Sequence, residues 1–272
     1  MGGHGDKRET VFTLNGETVV AHGAETVLDV ARRLGVHIPT LCHHEAVTAY
    51  GACRLCLVEV SWGKRSKLVT SCLYQPYEND AVETDSARVH AARRMVLEML
   101  LARCPDVEVI RDMGKAYGVA QSRFPSMEAP GPSGCILCGL CVRVCDEVVG
   151  ASAIGYANRG TQRYVSTPHG DNADACIGCG ACVFVCPTGA LHLEDKDGIR
   201  TMVEFNTSMP MVKCGACGEY FATEKQLRAM LEKTQVPEET ALKCPKCRGA
   251  DFTGIAGKAL LALQADAGKT GS

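Results

Sequence analysis

The sequence predicts an α+β protein composed of several small domains. Its 272 residues are enough for two or three such domains. Near the N-terminus, apolar and polar residues alternate around Asn15-Gly16, which is typical of a β-hairpin, and an amphipathic segment follows. The 17 cysteines are the strongest departure from an average composition. Because most of them occur in closely spaced clusters, we expect metal-binding domains rather than one large apolar core.

Bulk properties argue against several classes of protein. The formal net charge of −2 gives no reason to expect a nucleic-acid partner or an anionic membrane surface. The N-terminal stretch MGGHGDKRETVFTLNG is polar and lacks the apolar core of a secretory signal, and no run of apolar residues is long enough to span a bilayer. We therefore expect a cytoplasmic protein without membrane insertion, whose cysteines are ligands rather than disulfides.

The first domain is expected over residues 8–85 and is rich in β-structure. The stretch TVFTLNGETVVAH is predicted to form the hairpin, AETVLDVARRLGV a short helix, and LCLVEV a strand. This domain carries the first group of four cysteines, Cys42, Cys53, Cys56 and Cys72. Because all four thiols are present, His43 and His44 are predicted to be solvated loop residues rather than metal ligands.

A helical linker is predicted over residues 86–130. Apolar residues at positions 89, 92, 96, 99 and 100 indicate one amphipathic helix. Cys104 follows this helix and belongs to none of the four cysteine groups. Since nothing near it could complete a set of four ligands, we interpret Cys104 as a structural thiol near a helix end.

The central range, 131–200, contains one cysteine motif twice. CILCGLCVRVC begins at Cys135 and CIGCGACVFVC at Cys176, so C-x2-C-x2-C-x3-C is repeated. In bacterial ferredoxins the first three cysteines of this run hold one [4Fe–4S] cluster and the fourth ligates the neighbouring cluster. The first cluster is therefore predicted on Cys135, Cys138, Cys141 and Cys186. The second is predicted on Cys145, Cys176, Cys179 and Cys182. A repeated structural zinc site is the alternative, but such dense thiolates suit paired cubanes better.

The two copies of the motif differ after their last cysteine. Pro187 follows the second copy, whereas Asp146 follows the first. The gap between the copies is long for a minimal ferredoxin, so we predict an inserted hairpin at about residues 148–170. Small residues between the ligands allow the backbone to fold closely over a cluster; they are Gly139, Gly178, Gly180 and Ala181.

The C-terminal range, 205–255, predicts a zinc ribbon. KCGACGEY and KCPKCRGA each carry a C-x2-C pair, and TEKQLRAMLEK between them is predicted to be a short helix. The zinc ligands would be Cys214, Cys217, Cys244 and Cys247. A further iron–sulfur cluster on the same four thiolates is the alternative. Residues 256–272 are interpreted as a tail.

Together these motifs resemble a known family. The hairpin, helix and cysteine loop resemble the β-grasp fold of [2Fe–2S] ferredoxins, although the spacing differs from the plant-type C-x4-C-x2-C. Residues 10–200 resemble the N-terminal part of the large peripheral-arm subunit of respiratory complex I. They also resemble the diaphorase small subunit of NAD-reducing hydrogenases, NAD-dependent formate dehydrogenases and the N-terminus of iron-only hydrogenases. The resemblance implies a [2Fe–2S] cluster on Cys42, Cys53, Cys56 and Cys72.

The resemblance is incomplete in the linker. Members of that family usually carry a His-x3-Cys-x2-Cys-x5-Cys cluster site there, and here only Cys104 remains of its cysteines, with His90 about four helical turns upstream. We interpret this site as lost. The [2Fe–2S] and [4Fe–4S] domains must then either approach directly or be bridged by a partner's cofactor.

The function implied is electron transfer without a catalytic site of its own. No G-x-G-x-x-G motif follows a predicted strand, so no nucleotide-binding domain is expected. The implied partners are a flavin-containing NAD(P)H-oxidising subunit, a catalytic subunit of the hydrogenase, formate dehydrogenase or flavin-based bifurcating type, and ferredoxin. The alternatives are a free polyferredoxin shuttle and a stand-alone reductase.

Overall fold

The computed structural model describes residues 9–127, 130–170 and 173–249, apart from the side chain of His169. The chain divides into two compact units, each described by itself. The first comprises residues 1–171 and 181–192, and the second comprises 172–180 and 193–272. The predicted C-terminal tail lies outside the described residues.

A five-stranded sheet forms the N-terminal part of the first unit. The predicted hairpin is β1 and β2, joined at Asn15 and Gly16, whose positive φ angles of 52° and 84° suit a tight two-residue turn. The strand order is β2-β1-β5-β3-β4, and β5 runs parallel to β1 but antiparallel to β3. The strands are β1 Glu9–Leu14, β2 Glu17–His22, β3 Leu57–Trp62, β4 Arg65–Thr70 and β5 Ala81–Glu83.

One helix packs on this sheet. Helix α1, Val27–Arg33, begins at a capping box in which Thr26 and Asp29 satisfy each other's backbone N–H groups. Its apolar face and the inward residues of the strands form one core, which also encloses two of the cysteines; its members include Phe12, Leu28, Val58, Val82, Cys56 and Cys72. The sheet therefore brings the cysteine loops to the edge of an apolar core.

The predicted linker is helical. Helix α2, Ala87–Arg103, is capped by Ser86 at its N-terminus and by Cys104 at its C-terminus, and α3, Glu108–Ala116, packs against it. A second core in this unit combines side chains of these helices with the cysteine loops; it includes Leu97, Leu101, Ile110, Cys42, Cys53, Cys138 and Leu140. The linker thus shares one core with cysteines of the N-terminal group and of the doubled motif.

The rest of the first unit surrounds the doubled motif. Helix α4, Leu140–Arg143, continues into a π-helical turn, Val144–Val149, and packs against α5, Ala181–Phe184. The insertion forms the short antiparallel hairpin β6, Gly155–Ala157, and β7, Tyr164–Ser166. A hairpin therefore occupies the range in which the sequence predicts one.

The second unit contains a four-stranded antiparallel sheet in the order β11-β10-β9-β8. The predicted helix between the C-x2-C pairs is α6, Glu224–Lys233, and a short α7, Glu238–Ala241, follows it. The strands are β8 Leu193–Lys196, β9 Ile199–Met202, β10 Thr207–Lys213 and β11 Tyr220–Thr223. Because β9 pairs with β10, the expected boundary at residues 200–205 falls inside this sheet. In the described ranges, no helix is both long and apolar enough to cross a membrane.

Candidate metal centres

The first four cysteines lie in the N-terminal unit as two pairs. Cys56 Sγ and Cys72 Sγ are 3.4 Å apart, and the Cys42 and Cys53 thiols form the other pair. All four side chains are buried. Backbone N–H groups also point at the sulfurs, with Leu41 N donating to Cys53 Sγ at 3.4 Å and Cys53 N to Cys42 Sγ at 3.3 Å. Two pairs of sulfurs suit a binuclear cluster, in which each iron takes two protein ligands.

The protonation of these pairs also suits a cationic occupant. The hydrogen bond shared with Cys42 lowers the pKa of Cys53 to about 6, and the one shared with Cys72 lowers the pKa of Cys56 to about 7. Their partners, Cys42 and Cys72, have raised pKa values because of the same hydrogen bonds and because of burial. One thiol of each pair therefore releases its proton more readily than its partner, and both could bind iron as thiolates.

The histidines beside Cys42 are not fully solvated. His43 and His44 are both half-buried. Burial lowers the pKa of His43, and its Nδ1 is enclosed without a hydrogen-bond partner among the described residues. The prediction of a solvated loop residue is therefore wrong for His43. Its neighbour His44 accepts a hydrogen bond from Ala46 N at 3.1 Å through Nδ1, so its ring serves the local turn.

Four cysteines from both copies of the doubled motif line one cavity of the first unit. They are Cys135, Cys138, Cys141 and Cys186, the set that the sequence assigns to the first cubane. Apolar groups from Ile136, Val165 and Ala190 complete the wall. Burial raises the pKa of Cys135 and Cys141 and raises that of Cys138 to about 11. Four thiols that converge on an apolar cavity are a site that becomes stable when a cationic core neutralises the thiolates.

The residues assigned to the second cubane are divided between the two units. Cys145 and Cys182 belong to the first unit, whereas Cys176 and Cys179 belong to the second. Backbone donors again point at these sulfurs: Ala153 N donates to Cys145 Sγ at 3.3 Å, and Gly178 N donates to Cys176 Sγ at 3.4 Å. These N–H···S contacts are the kind that ferredoxin loops make to their cluster ligands.

The inserted hairpin lies over the first cavity. Val165 of β7 is part of its wall, and Tyr156 of β6 reaches Gly139, which lies between Cys138 and Leu140. A Cβ atom at Gly139 would collide with the Tyr156 hydroxyl, and φ there is +74°. Burial raises the pKa of Tyr156 to about 12, and the Arg163 guanidinium stacks on its ring at 3.7 Å. A glycine is thus required by both the turn and the covering ring.

Several arginines hold the cysteine loops by their carbonyl groups. Arg93 is the largest fully buried side chain of the described residues and donates to Leu55 O at 3.0 Å and Leu57 O at 2.8 Å, on either side of Cys56. Arg103 Nε donates to Cys135 O at 2.8 Å. In the second unit, Arg200 donates to Gly178 O at 3.0 Å. When a loop carbonyl accepts a hydrogen bond from an arginine, it points away from the site, and the neighbouring backbone N–H groups can face the sulfurs.

Unpartnered donors beside these loops support the fit of iron–sulfur clusters. Among the described residues, Arg103 Nη2 and Arg143 Nε are buried and lack a hydrogen-bond partner. A buried guanidinium N–H without an acceptor is costly. Cluster sulfides are acceptors and carry negative charge, so clusters would supply what these donors lack. The buried sulfurs, the N–H···S contacts and these donors together fit the groups that the sequence predicts.

The C-terminal cysteines converge on one point in the second unit. The sulfurs of Cys214, Cys217, Cys244 and Cys247 all lie within 4.8 Å of one another. This spacing allows tetrahedral coordination, in which the sulfurs around zinc are about 3.8 Å apart. Backbone hydrogen bonds, the strongest from Cys244 N, lower the pKa of Cys214 to about 6. These four residues can therefore hold a metal ion.

Cys104 lies apart from these four sets. It is buried at the end of α2, and burial raises its pKa to about 11. His90, on the first turn of α2, pairs instead with Asp85 at 2.7 Å and packs against the ring of Tyr117. These contacts are structural, and the absence of a linker cluster site stays a prediction.

Comparison with known families matches three segments of the chain. A 2Fe-2S iron–sulfur cluster binding domain covers residues 7–87. Two models of a 4Fe-4S dicluster domain cover residues 134–190 and 169–220. The fold and the cysteine sites therefore define a ferredoxin-type iron–sulfur protein with a [2Fe–2S] domain and a [4Fe–4S] dicluster domain.

Several characterised proteins are similar over the same region. The 78 kDa subunit of NADH-ubiquinone oxidoreductase from Candida albicans is 31% identical over 58% of this chain and 25% of its own length. A subunit of NADH-quinone oxidoreductase from Rhizobium meliloti is 34% identical over 57% and 20%. The alpha subunit of NADPH-Fe(3+) oxidoreductase from Geobacter sulfurreducens is 33% identical over 59% and 21%. The chain thus spans between 20% and 25% of the length of these relatives.

A solved structure completes the comparison. One chain in the crystal structure of an NAD+-reducing [NiFe]-hydrogenase in the H2-reduced state is 30% identical, with a TM-score of 0.51, over 58% of this chain and 74% of that one. The chain therefore belongs to the iron–sulfur family that includes subunits of NADH-quinone oxidoreductase and of NAD+-reducing hydrogenase.

Proposed function

We propose that the chain is an electron-transfer subunit that carries single electrons between a flavin-containing, NAD(P)H-oxidising subunit and a catalytic subunit. It would hold a [2Fe–2S] cluster on Cys42, Cys53, Cys56 and Cys72 and two [4Fe–4S] clusters with crossed ligation. Relatives named as NADH and NADPH oxidoreductase subunits support this proposal. When bound, the clusters supply one-electron chemistry, and the protein sets their spacing and potentials.

The shared core of the linker carries the proposal. Cys42 and Cys53 of the first group and Cys138 of the doubled motif lie in one apolar cluster with Leu140. This arrangement supports direct approach of the two cluster domains rather than bridging by a partner's cofactor. Each proposed iron site also has four cysteines, which leaves no open iron position for a substrate.

We also propose zinc at Cys214, Cys217, Cys244 and Cys247, in a zinc-ribbon-like module built on β10, β11 and α6. The four sulfurs and a small core around Leu227 support this assignment. The core is small, so metal binding would contribute much of the stability of the module. The alternative is a further iron–sulfur cluster on the same thiolates. We place the protein in the cytoplasm, where reducing conditions keep such thiols available.

Rapid-freeze EPR tests the proposed electron path. The purified chain is mixed anaerobically with a slow one-electron donor, and the [2Fe–2S] and [4Fe–4S] signals are followed in time. The proposal predicts equilibration between the two kinds of cluster faster than external reduction of either. Independent reduction of each cluster at its own concentration-dependent rate would contradict it.

Two further measurements separate the alternatives. Size-exclusion of the native assembly distinguishes a subunit from a shuttle, because a lone 29.0 kDa species would favour a free polyferredoxin. Turnover of a substrate by the purified chain without a flavoprotein would favour a stand-alone reductase.

A further inference from the structure

One arginine joins the [2Fe–2S] loop to the doubled motif. Arg143 lies on α4 between Cys141 and Cys145, which are assigned to different cubanes. Its Nη2 donates to the carbonyl oxygen of Cys42 at 2.9 Å, and its Nη1 donates to Thr48 O. The two contacts connect residues that are 101 and 95 positions apart in the sequence. A ligand of the [2Fe–2S] site is therefore held by the helix that carries [4Fe–4S] ligands.

The helical segment that carries Arg143 makes a second contact with the loop that follows Cys42. Thr48 N donates to Glu147 Oε2 at 2.6 Å, so both polar groups of the Thr48 backbone are engaged by residues of one helical segment. The Arg143 guanidinium also lies 5.6 Å from the centre of the Tyr50 ring. These contacts fix the guanidinium between the two sites, since a planar group with several partners loses its rotational freedom.

Arg143 has no anionic partner in the described ranges. No carboxylate lies within ion-pair distance of it there, and its Nε is buried without a hydrogen-bond acceptor. Nε lies on the side of Gly139, within 3.9 Å of the position that a Cβ atom would take. A half-buried cation without a counterion is unfavourable unless a negative charge is near. Iron–sulfur clusters with four thiolates are anionic and become more so on reduction.

We infer that Arg143 is a positioning residue that serves as the shared counter-cation of the [2Fe–2S] cluster and the first [4Fe–4S] cluster. This inference rests on the proposed function. A cation beside an anionic cluster stabilises the reduced form over the oxidised form, because reduction adds one negative charge. Arg143 therefore raises the midpoint potentials of both clusters and holds the Cys42 loop against α4.

Potentiometric titration followed by EPR tests this role on the whole chain. In Arg143→Met, both midpoints should fall enough to reduce the reduced-to-oxidised ratio at fixed potential about tenfold, which corresponds to about 59 mV for one electron. Arg143→Lys keeps the charge, so its ratio should change by less than about threefold. Arg94→Met is the control, because Arg94 is exposed on α2 and its loss should leave both midpoints unchanged.

A further variant separates the charge from the loop contact. Glu147→Ala removes the other attachment of Thr48 but leaves the guanidinium in place, and it should not lower either midpoint. The inference would be overturned if Arg143→Met kept its full iron content and both midpoint potentials were unchanged, or if the midpoint of only one cluster fell. An equal fall in the midpoints of Glu147→Ala would also overturn it. If Arg143→Met does not retain iron, the test rests on Arg143→Lys. A tenfold change in the reduced-to-oxidised ratio of that variant would overturn the role of the charge. Absence of clusters in the unmodified chain would instead refute the proposed function.

Discussion

Arg103 Nε donates a 2.8 Å hydrogen bond to the carbonyl oxygen of Cys135, and its Nη2 is buried without a partner among the described residues. The last turn of the linker helix is thereby attached to the first ligand of the doubled motif. The Arg103 charge also acts to lower the pKa of Cys135, against the larger effect of burial. Helix α2 is thus in direct contact with a cysteine loop of the doubled motif.

Replacing Arg103 should weaken the first [4Fe–4S] site. In Arg103→Met the loop loses a charged hydrogen bond, worth about 1.5–3 kcal/mol, and the cluster loses a nearby cation. We expect a lower midpoint potential and faster loss of iron to a chelator, measured by EPR titration and by absorbance. Arg111→Met on the exposed face of α3 is the control. An unaltered potential and chelation rate in Arg103→Met would contradict this role.

The buried Arg93 should be important for stability. In Arg93→Met the carbonyls of Leu55 and Leu57 and the hydroxyl of Tyr117 lose their shared donor. Each buried group left unpaired costs about 1–3 kcal/mol, so we expect a loss of several kcal/mol in the free energy of unfolding. Denaturant unfolding monitored by circular dichroism measures it. The control Arg94→Met should change the free energy of unfolding by less than about 0.5 kcal/mol. An equally small change in Arg93→Met would contradict the importance of Arg93 for stability.

The contact between Gly139 and Tyr156 can be tested by a double substitution. Gly139→Ala introduces a collision with the Tyr156 hydroxyl in addition to strain at φ +74°. Gly35 has the same φ and open space around it, so Gly35→Ala measures the strain alone. We expect Gly139→Ala to lose more iron and stability than Gly35→Ala. Adding Tyr156→Phe to Gly139→Ala should remove this additional loss. If the additional loss of iron and stability persisted in the double variant, the Tyr156 hydroxyl would not be what limits position 139.

The crossed ligation predicts which cluster each fourth cysteine supports. Cys145→Ser should damage the cluster of Cys176, Cys179 and Cys182 and spare the one within its own motif. Cys186→Ser is the matched variant and should affect the cluster of Cys135, Cys138 and Cys141. EPR of the dithionite-reduced variants distinguishes the two. An altered first cubane with an intact second one in Cys145→Ser would refute this assignment.

Zinc binding at the C-terminal site should depend on pH. The lowered pKa of Cys214, about 6, means that folding favours its thiolate. This contribution is present above the ordinary pKa of a thiol and is lost as the pH falls through about 6, so zinc affinity should decline steeply there. Cys217 and Cys247 have raised pKa values and should release protons on binding near neutral pH. Competition with a chromophoric chelator measures the affinity, and a flat profile between about pH 5 and 8 would contradict this.

The parts of the fold that could be predicted from sequence are those with local signals. The Asn15-Gly16 hairpin and the helix Glu224–Lys233 follow from periodicity and turn chemistry within a few residues. The cysteine groups follow from ligand spacing. Even the convergence of Cys186 with the first motif, a long-range relationship, is predictable because the ferredoxin run encodes it.

What could not be predicted depends on distant parts of the chain. The contacts of Arg93 with Leu55 and of Arg103 with Cys135 join residues 38 and 32 positions apart, and nothing in the local sequence distinguishes these arginines from exposed ones. The three-residue strand Ala81–Glu83 is too short for a periodicity signal, yet it lies between β1 and β3. The enclosure of His43 likewise depends on packing.

Metal and sulfide analysis of the anaerobically purified chain tests the central claim most directly. The account predicts a brown protein with about ten iron atoms, about ten acid-labile sulfides and about one zinc ion per chain. EPR of the reduced protein should resolve one binuclear and two cubane signals in the same sample. A colourless protein without iron and sulfide, prepared without exposure to oxygen, would contradict the assignment of these cysteines to electron transfer.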